Sequence, residues 1–169
     1  MASLQRQAGF SKLEFSVVLA LMGAMAALAL NRLHEVQEIA EKTAVEMTVR
    51  NIQSGLRWEM SERIMTKREA SIAELAGGNP VRWLEKPPDG YLGEYPAAPD
   101  RFPPGTWYFD ILDKELRYSP VLTRNLECRE CARKRGELVL AWRIERAGNP
   151  MLGRGDLVRL LPVVPYRWF

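Results

Sequence analysis

The feature that most limits what this chain can become is an apolar run from Phe15 to Leu30, opening directly behind an acidic residue, Glu14. Read as helix, about 16 residues give roughly 24 Å at 1.5 Å each. Phe10 and Leu13 extend the run towards the ~30 Å of a bilayer core. Lys12 and Arg32 can snorkel to the interfaces at its two ends. A carboxylate at a helix centre in lipid is unfavourable by roughly 2.5–3.5 kcal/mol, and by less near an end. Its presence there is a functional signal that needs a partner. The amine of Phe10 is the best candidate, provided the chain is cut after Gly9. One helical turn separates the two groups, the spacing of an i, i+4 pair. Ala20, Gly23, Ala24, Ala26, Ala27 and Ala29 let neighbouring helices approach closely, which a simple anchor does not need.

From Asn31 to about Ala76 no proline interrupts the chain. Apolar residues recur at Leu33, Val36, Ile39/Ala40, Val45, Val49, Ile52, Leu56, Met60 and Ile64, at spacings of three and four. That is a single-face amphipathic helix whose stripe rests on a sheet. Gly77-Gly78-Asn79-Pro80 reads as its stop, and Ser54-Gly55 as a bend or a point where the sheet comes close. Residues 79–105 read as a proline- and aromatic-rich loop packed on the domain. Thr106–Asp110 and Glu115–Ser119 then read as a hairpin turning at Asp113-Lys114. Glu137–Glu145 and Asp156–Val164 follow as two more strands, with Pro162 placing the last at an edge. The expected class is α+β: one long helix on a three- to four-stranded antiparallel sheet.

Composition narrows the function. At 169 residues the chain allows one domain plus a membrane segment. A net charge of +3 gives no reason to expect a nucleic-acid partner. A basic loop at Arg124, Arg129, Arg133, Lys134 and Arg135 reads first as a solvated surface. Phosphate-loop, nucleophile-elbow and metalloprotease motifs are missing from the sequence, and His34 is its single histidine. No enzymatic activity, cofactor, metal or small-molecule substrate is therefore expected. Cys128 and Cys131 admit three readings: a structural disulfide in an exported domain, a redox pair, or a half-site for a metal completed by another subunit. Two alternatives compete at the N-terminus. Phe15 to Gly23 with Ala24-Met25-Ala26 imitates a signal peptide cut after Ala26, and an uncleaved anchor is the other.

Gly9-Phe10-Ser11-Lys12-Leu13-Glu14 resembles the processing site of type IV prepilins and type II secretion pseudopilins. A short polar leader ends in glycine, the mature chain begins with Phe, its fifth residue is Glu, and an apolar helix follows. Lys12 stands where an apolar residue is usual, and Asn31 about where a proline often falls. The resemblance implies a leader over residues 1–9, a membrane or filament-core helix over 10–31, and its amphipathic continuation over 32–78. A variable loop over 79–105 and a sheet domain over 106–169 complete the implied organisation. It further implies cleavage after Gly9 and methylation of Phe10 by a prepilin peptidase, and assembly through Glu14 with other pilin or pseudopilin subunits. The implied location is the bacterial inner membrane with the C-terminal domain in the periplasm, and later a pilus or pseudopilus.

Overall fold

The computed structural model describes residues 11–96, 103–131, 133–134, 137–147 and 157–169. The chain divides into two compact units, Met1–Ile39 and Ala40–Phe169. Helix α1, Lys12–Met65, contributes residues to both. It ends eleven residues before Ala76, where the sequence leads one to expect its last turn. The reason is local. Lys67 adopts a left-handed φ of 56°, Arg68 N–H donates to the Arg63 carbonyl at 2.7 Å, and Lys67 N–H donates to that of Ile64 at 3.1 Å. These are the two bonds of a Schellman cap, made here without glycine. The chain continues through two 3₁₀ turns, η1 (Glu69–Leu75) and η2 (Pro80–Trp83). Gly77, at φ 73°, serves the exit of η1 instead, and its N–H donates to the Ile144 carbonyl at 3.0 Å.

Five strands form the main sheet: β1 (Tyr91–Tyr95), β2 (Thr106–Asp110), β3 (Glu115–Ser119), β7 (Leu140–Arg146) and β8 (Val158–Pro162), in the order β1-β2-β3-β7-β8. Two-residue pairs add β4 (Leu126–Glu127) with β9 (Arg167–Trp168), and β5 (Arg133–Lys134) with β6 (Glu137–Leu138). The β2–β3 hairpin has the expected register, and its turn is held by the Asp110 carboxylate accepting from the Leu112 and Asp113 amides. Two expectations need correcting. The sheet is larger than three or four strands, and it is mixed, because β1 runs parallel to β2. Strand β1 and turn η2 lie inside the stretch read as loop, where proline density masks the strand. Residues 97–102 of that stretch lie outside the described part. β8 is an edge strand, as Pro162 requires.

In the larger unit the predicted stripe divides. Val45, Ile52 and Leu56 are buried, with Val49 and Met60 packed beside them, against Trp107, Leu116, Leu140, Trp142 and Ile144 of the sheet. Each fully buried aliphatic side chain contributes about 1.5–3 kcal/mol. Leu33, Val36, Ile39 and Ile64, which extend the stripe in the sequence, are exposed. Aromatic contacts organise the core: Trp107 lies 4.6 Å from Tyr118 and 5.4 Å from Trp142 between ring centres, and Trp142 meets Tyr166 edge-on at 5.9 Å. Gly55 faces the turn η2 and not the sheet, since a Cβ built on it would lie 2.5 Å from the Trp83 carbonyl oxygen.

One carboxylate ties the helix to the chain beyond the sheet. Glu41 accepts from the Tyr118 hydroxyl at 2.8 Å, the Val121 amide at 2.7 Å and the Leu122 amide at 2.9 Å. Burial raises the pKa of Tyr118, and the Glu41 carboxylate raises it further. Burial likewise pushes up Tyr91, Tyr108 and Tyr166. Unfolded tyrosines ionise near pH 10 while these hold their protons. Their contribution to stability is thus complete below about pH 10 and is lost as pH rises through the higher folded values. Alkaline titration followed at the phenolate absorbance is expected to show cooperative ionisation coinciding with loss of near-UV circular dichroism. Smooth titration of all tyrosines around pH 10 with the fold intact would refute it.

Candidate functional site

Helix α1 begins at a capping box. The Ser11 hydroxyl accepts from the Leu13 amide at 3.2 Å, and the Glu14 carboxylate reaches back to accept from the Ser11 amide at 2.9 Å. Phe15 N–H donates to the Ser11 carbonyl at 3.0 Å and opens the regular ladder. Such a cap stabilises a helix start by about 1 kcal/mol, and a negative charge in the first turn is further favoured by the helix dipole. Glu14 therefore has a partner within its own helix entrance that reading the sequence for a cationic partner did not name. The signal was present, because Ser11-Lys12-Leu13-Glu14 fits the S-x-x-E pattern ahead of an apolar run. Gly9 and Phe10 lie outside the described residues.

Behind the cap, α1 is the one described helix long and apolar enough to cross a membrane. None of its most apolar window is buried by the chain itself. Leu13, Phe15, Met22, Met25 and Leu28 are each 60–71 % exposed. Uncovered apolar area of this extent on one helix is compatible with a membrane anchor. A Cβ on Gly23 would meet nothing within 4 Å, so no neighbour among the described residues uses that gap.

Cys128 and Cys131 are joined in a disulfide with Cα atoms 5.5 Å apart. The pair follows the short strand β4, and among the described residues no helix begins at it, unlike the placement a redox motif favours. Among the described residues no group of three or more His, Cys, Asp or Glu is placed to hold a metal ion. In the basic loop Arg124 and Arg129 are exposed, while Arg135 and the side chains of Arg133 and Lys134 lie outside the described part.

Two further polar clusters were not foreseen. Arg117, which is 12 % exposed, binds Asp110 at 2.7 Å, Glu115 at 2.7 Å and Asp113. Arg143 completes the group through Glu115 at 2.6 Å. Burial works to lower the pKa of Arg117, but the surrounding carboxylates outweigh it, so the guanidinium stays charged. At the other edge, Glu94 accepts from the Asn79 amide at 2.9 Å and from Arg82 at 3.0 and 3.1 Å, and both hold its carboxyl below the usual range. These clusters fix strands and turns; within the first, the Arg143 Nε is buried with no hydrogen-bond partner among the described residues. Set against protein-family models, curated proteins and solved structures, the chain has no match.

Proposed function

We propose that the chain is a membrane-inserted structural subunit of the type IV pilin or type II secretion pseudopilin kind, released by cleavage after Gly9 and assembled through α1 with other such subunits. The observation that carries this reading is an acidic residue at the first turn of a helix whose most apolar stretch its own chain leaves uncovered. The adjoining Gly9-Phe10 junction supplies the site at which a prepilin peptidase would act. Cleavage there creates an amine one residue from the Ser11 amide, within a turn of the carboxylate. A helix carrying its carboxylate at the entrance and small residues along its length is suited to packing among copies of itself in lipid or in a filament core. The α+β unit with its disulfide is the part displayed outside the membrane, on the periplasmic side, and the same chain later occupies a pilus or pseudopilus. Its work is assembly, not catalysis.

Sequencing the N-terminus of the mature protein tests the proposal. Phe10 as first residue, particularly if N-methylated, supports it. Ala27 would instead establish secretion, and a retained Met1 a plain anchor; either overturns it. Glu14→Ala is expected to leave membrane insertion intact and to abolish incorporation into filaments. Incorporation of that variant at the normal level would remove Glu14 as an assembly contact.

A further inference from the structure

The face of α1 turned away from the sheet carries a second pattern, opposite the core stripe of Val45, Val49, Ile52, Leu56 and Met60. Met47, Asn51, Ser54, Trp58, Ser61 and Met65 follow one another at alternating spacings of four and three, and all six are exposed. None is charged, although charges fill the positions between them. Met47, Trp58 and Met65 are 56 %, 73 % and 74 % exposed, so three large apolar side chains stand in this row. Uncharged residues at this period form the seam along which two helices pack. Arg57 borders the seam on one side and Glu62 on the other. Other charges of the helix pair within the chain: Lys42 and Arg50 with Glu46, and Arg63 with Glu59. The Arg57 guanidinium and the Glu62 carboxylate have no ion pair or hydrogen bond among the described residues. Five residues apart, they point about 140° from one another around the helix and cannot meet within it.

We infer that the exposed seam of α1 pairs with the same seam of a second copy of this chain, parallel and in register. In that arrangement Arg57 of each copy faces Glu62 of the other, the relation between a g position and the following e position in a parallel pair, and symmetry makes the contact twice. Antiparallel pairing sets the flank of Arg50 and Arg57 against itself, so like charges oppose it. Asn51 in the seam favours two strands in a single register at a cost in stability. With Ser54 and Ser61 beside it, the contact is weak between free copies. Two copies that enter one membrane by the same end are already parallel, and their confinement raises the effective concentration. The inference deepens the assembly reading by naming a second copy as the partner of α1. It uses no residue before Ala40, so it does not depend on how the N-terminus is processed.

Oxidative crosslinking of the full chain in zwitterionic lipid vesicles tests the register. Ser54→Cys and Ser61→Cys are each expected to crosslink copy to copy about tenfold faster than Leu112→Cys, a 72 % exposed position on the β2–β3 turn. Energy transfer between differently labelled copies in the same vesicles tests the flanking charges. Arg57→Glu and Glu62→Arg are each expected to weaken pairing about tenfold, because two repulsive contacts replace two attractive ones. The double variant Arg57→Glu/Glu62→Arg is expected to restore pairing to within about twofold of the parent. All three should melt with the parent, since neither side chain has a partner in the fold. Crosslinking at only one of the two serines or at neither would overturn the inference. A Leu112→Cys rate equal to theirs, or a double variant no better than the single ones, would do the same. None of these results bears on where the mature chain begins: a retained Met1 would sink the cleavage reading and leave this pairing standing, and the converse holds.

Discussion

Glu41→Ala is expected to destabilise the Ala40–Phe169 unit by about 3 kcal/mol, because one carboxylate satisfies three donors, each hydrogen bond to a charged group being worth roughly 1.5–3 kcal/mol with solvent reducing the sum. The donors are the Tyr118 hydroxyl and the amides of Val121 and Leu122. Alanine leaves all three without an acceptor, and the hydroxyl sits on a residue only 5 % exposed. For a unit of this size the melting temperature should fall by roughly 10 °C. Tyr118→Phe removes a single bond and should cost about 1 kcal/mol. Glu41→Gln falls between, since one amide oxygen remains but the amide nitrogen turns donors towards donors. Thermal unfolding of the three variants is the check. A Glu41→Ala protein that melts with the parent would show that the helix is held to residues 118–122 by packing alone.

Gly55→Ala should give the second large loss, against what helix propensity alone predicts. Alanine is favoured over glycine by about 1 kcal/mol in a helix interior. Here the added methyl would meet the Trp83 carbonyl oxygen at 2.5 Å and its carbon at 3.2 Å, and both atoms are backbone. The obstruction cannot rotate away as a side chain can. The turn η2, whose Pro80 and Val81 are buried, must shift instead. Overpacking of this kind costs about 1–3 kcal/mol or somewhat more, so a net loss of about 2 kcal/mol is expected from denaturant unfolding. Gly23→Ala is the control, with nothing within 4 Å of its Cβ. If Gly55→Ala stabilised the protein as propensity alone predicts, the close approach of η2 to the helix would be disproved.

The elements legible in the sequence were those specified by period or by a local chemical rule. The spacing of Val45, Val49, Ile52, Leu56 and Met60 marks the face of α1 that packs on the sheet. The β2–β3 hairpin follows from two five-residue runs around Asp113-Lys114, and Pro162 marks an edge because it lacks a ladder donor. What escaped was set by tertiary context. Lys67 ends the helix in a conformation that glycine usually signals, so the run of helix formers beyond it looked continuous. Strand β1 carries Gly93 at φ 113° and lies among prolines, which reads as loop until β2 is there to pair with it. Glu41 looks like any charge on a solvated face, and its hydroxyl partner is 77 residues away. At the candidate site, the acid and the apolar run are evident in the sequence, but the Ser11 amide that donates to the carboxylate is uncharged and so is not found by looking for a cation.

That bond between Glu14 and Ser11 sets a condition on anything else that engages the acid. An incoming cation arrives as a competitor for an occupied ligand, not as its first. Drawing the carboxylate away strips an amide at the helix entrance, and a bare donor in hydrocarbon is unfavourable by several kcal/mol. Under the proposed assembly, joining subunits through this residue would be a ligand exchange with a threshold, and a weakly held or badly oriented amine would fall short of it.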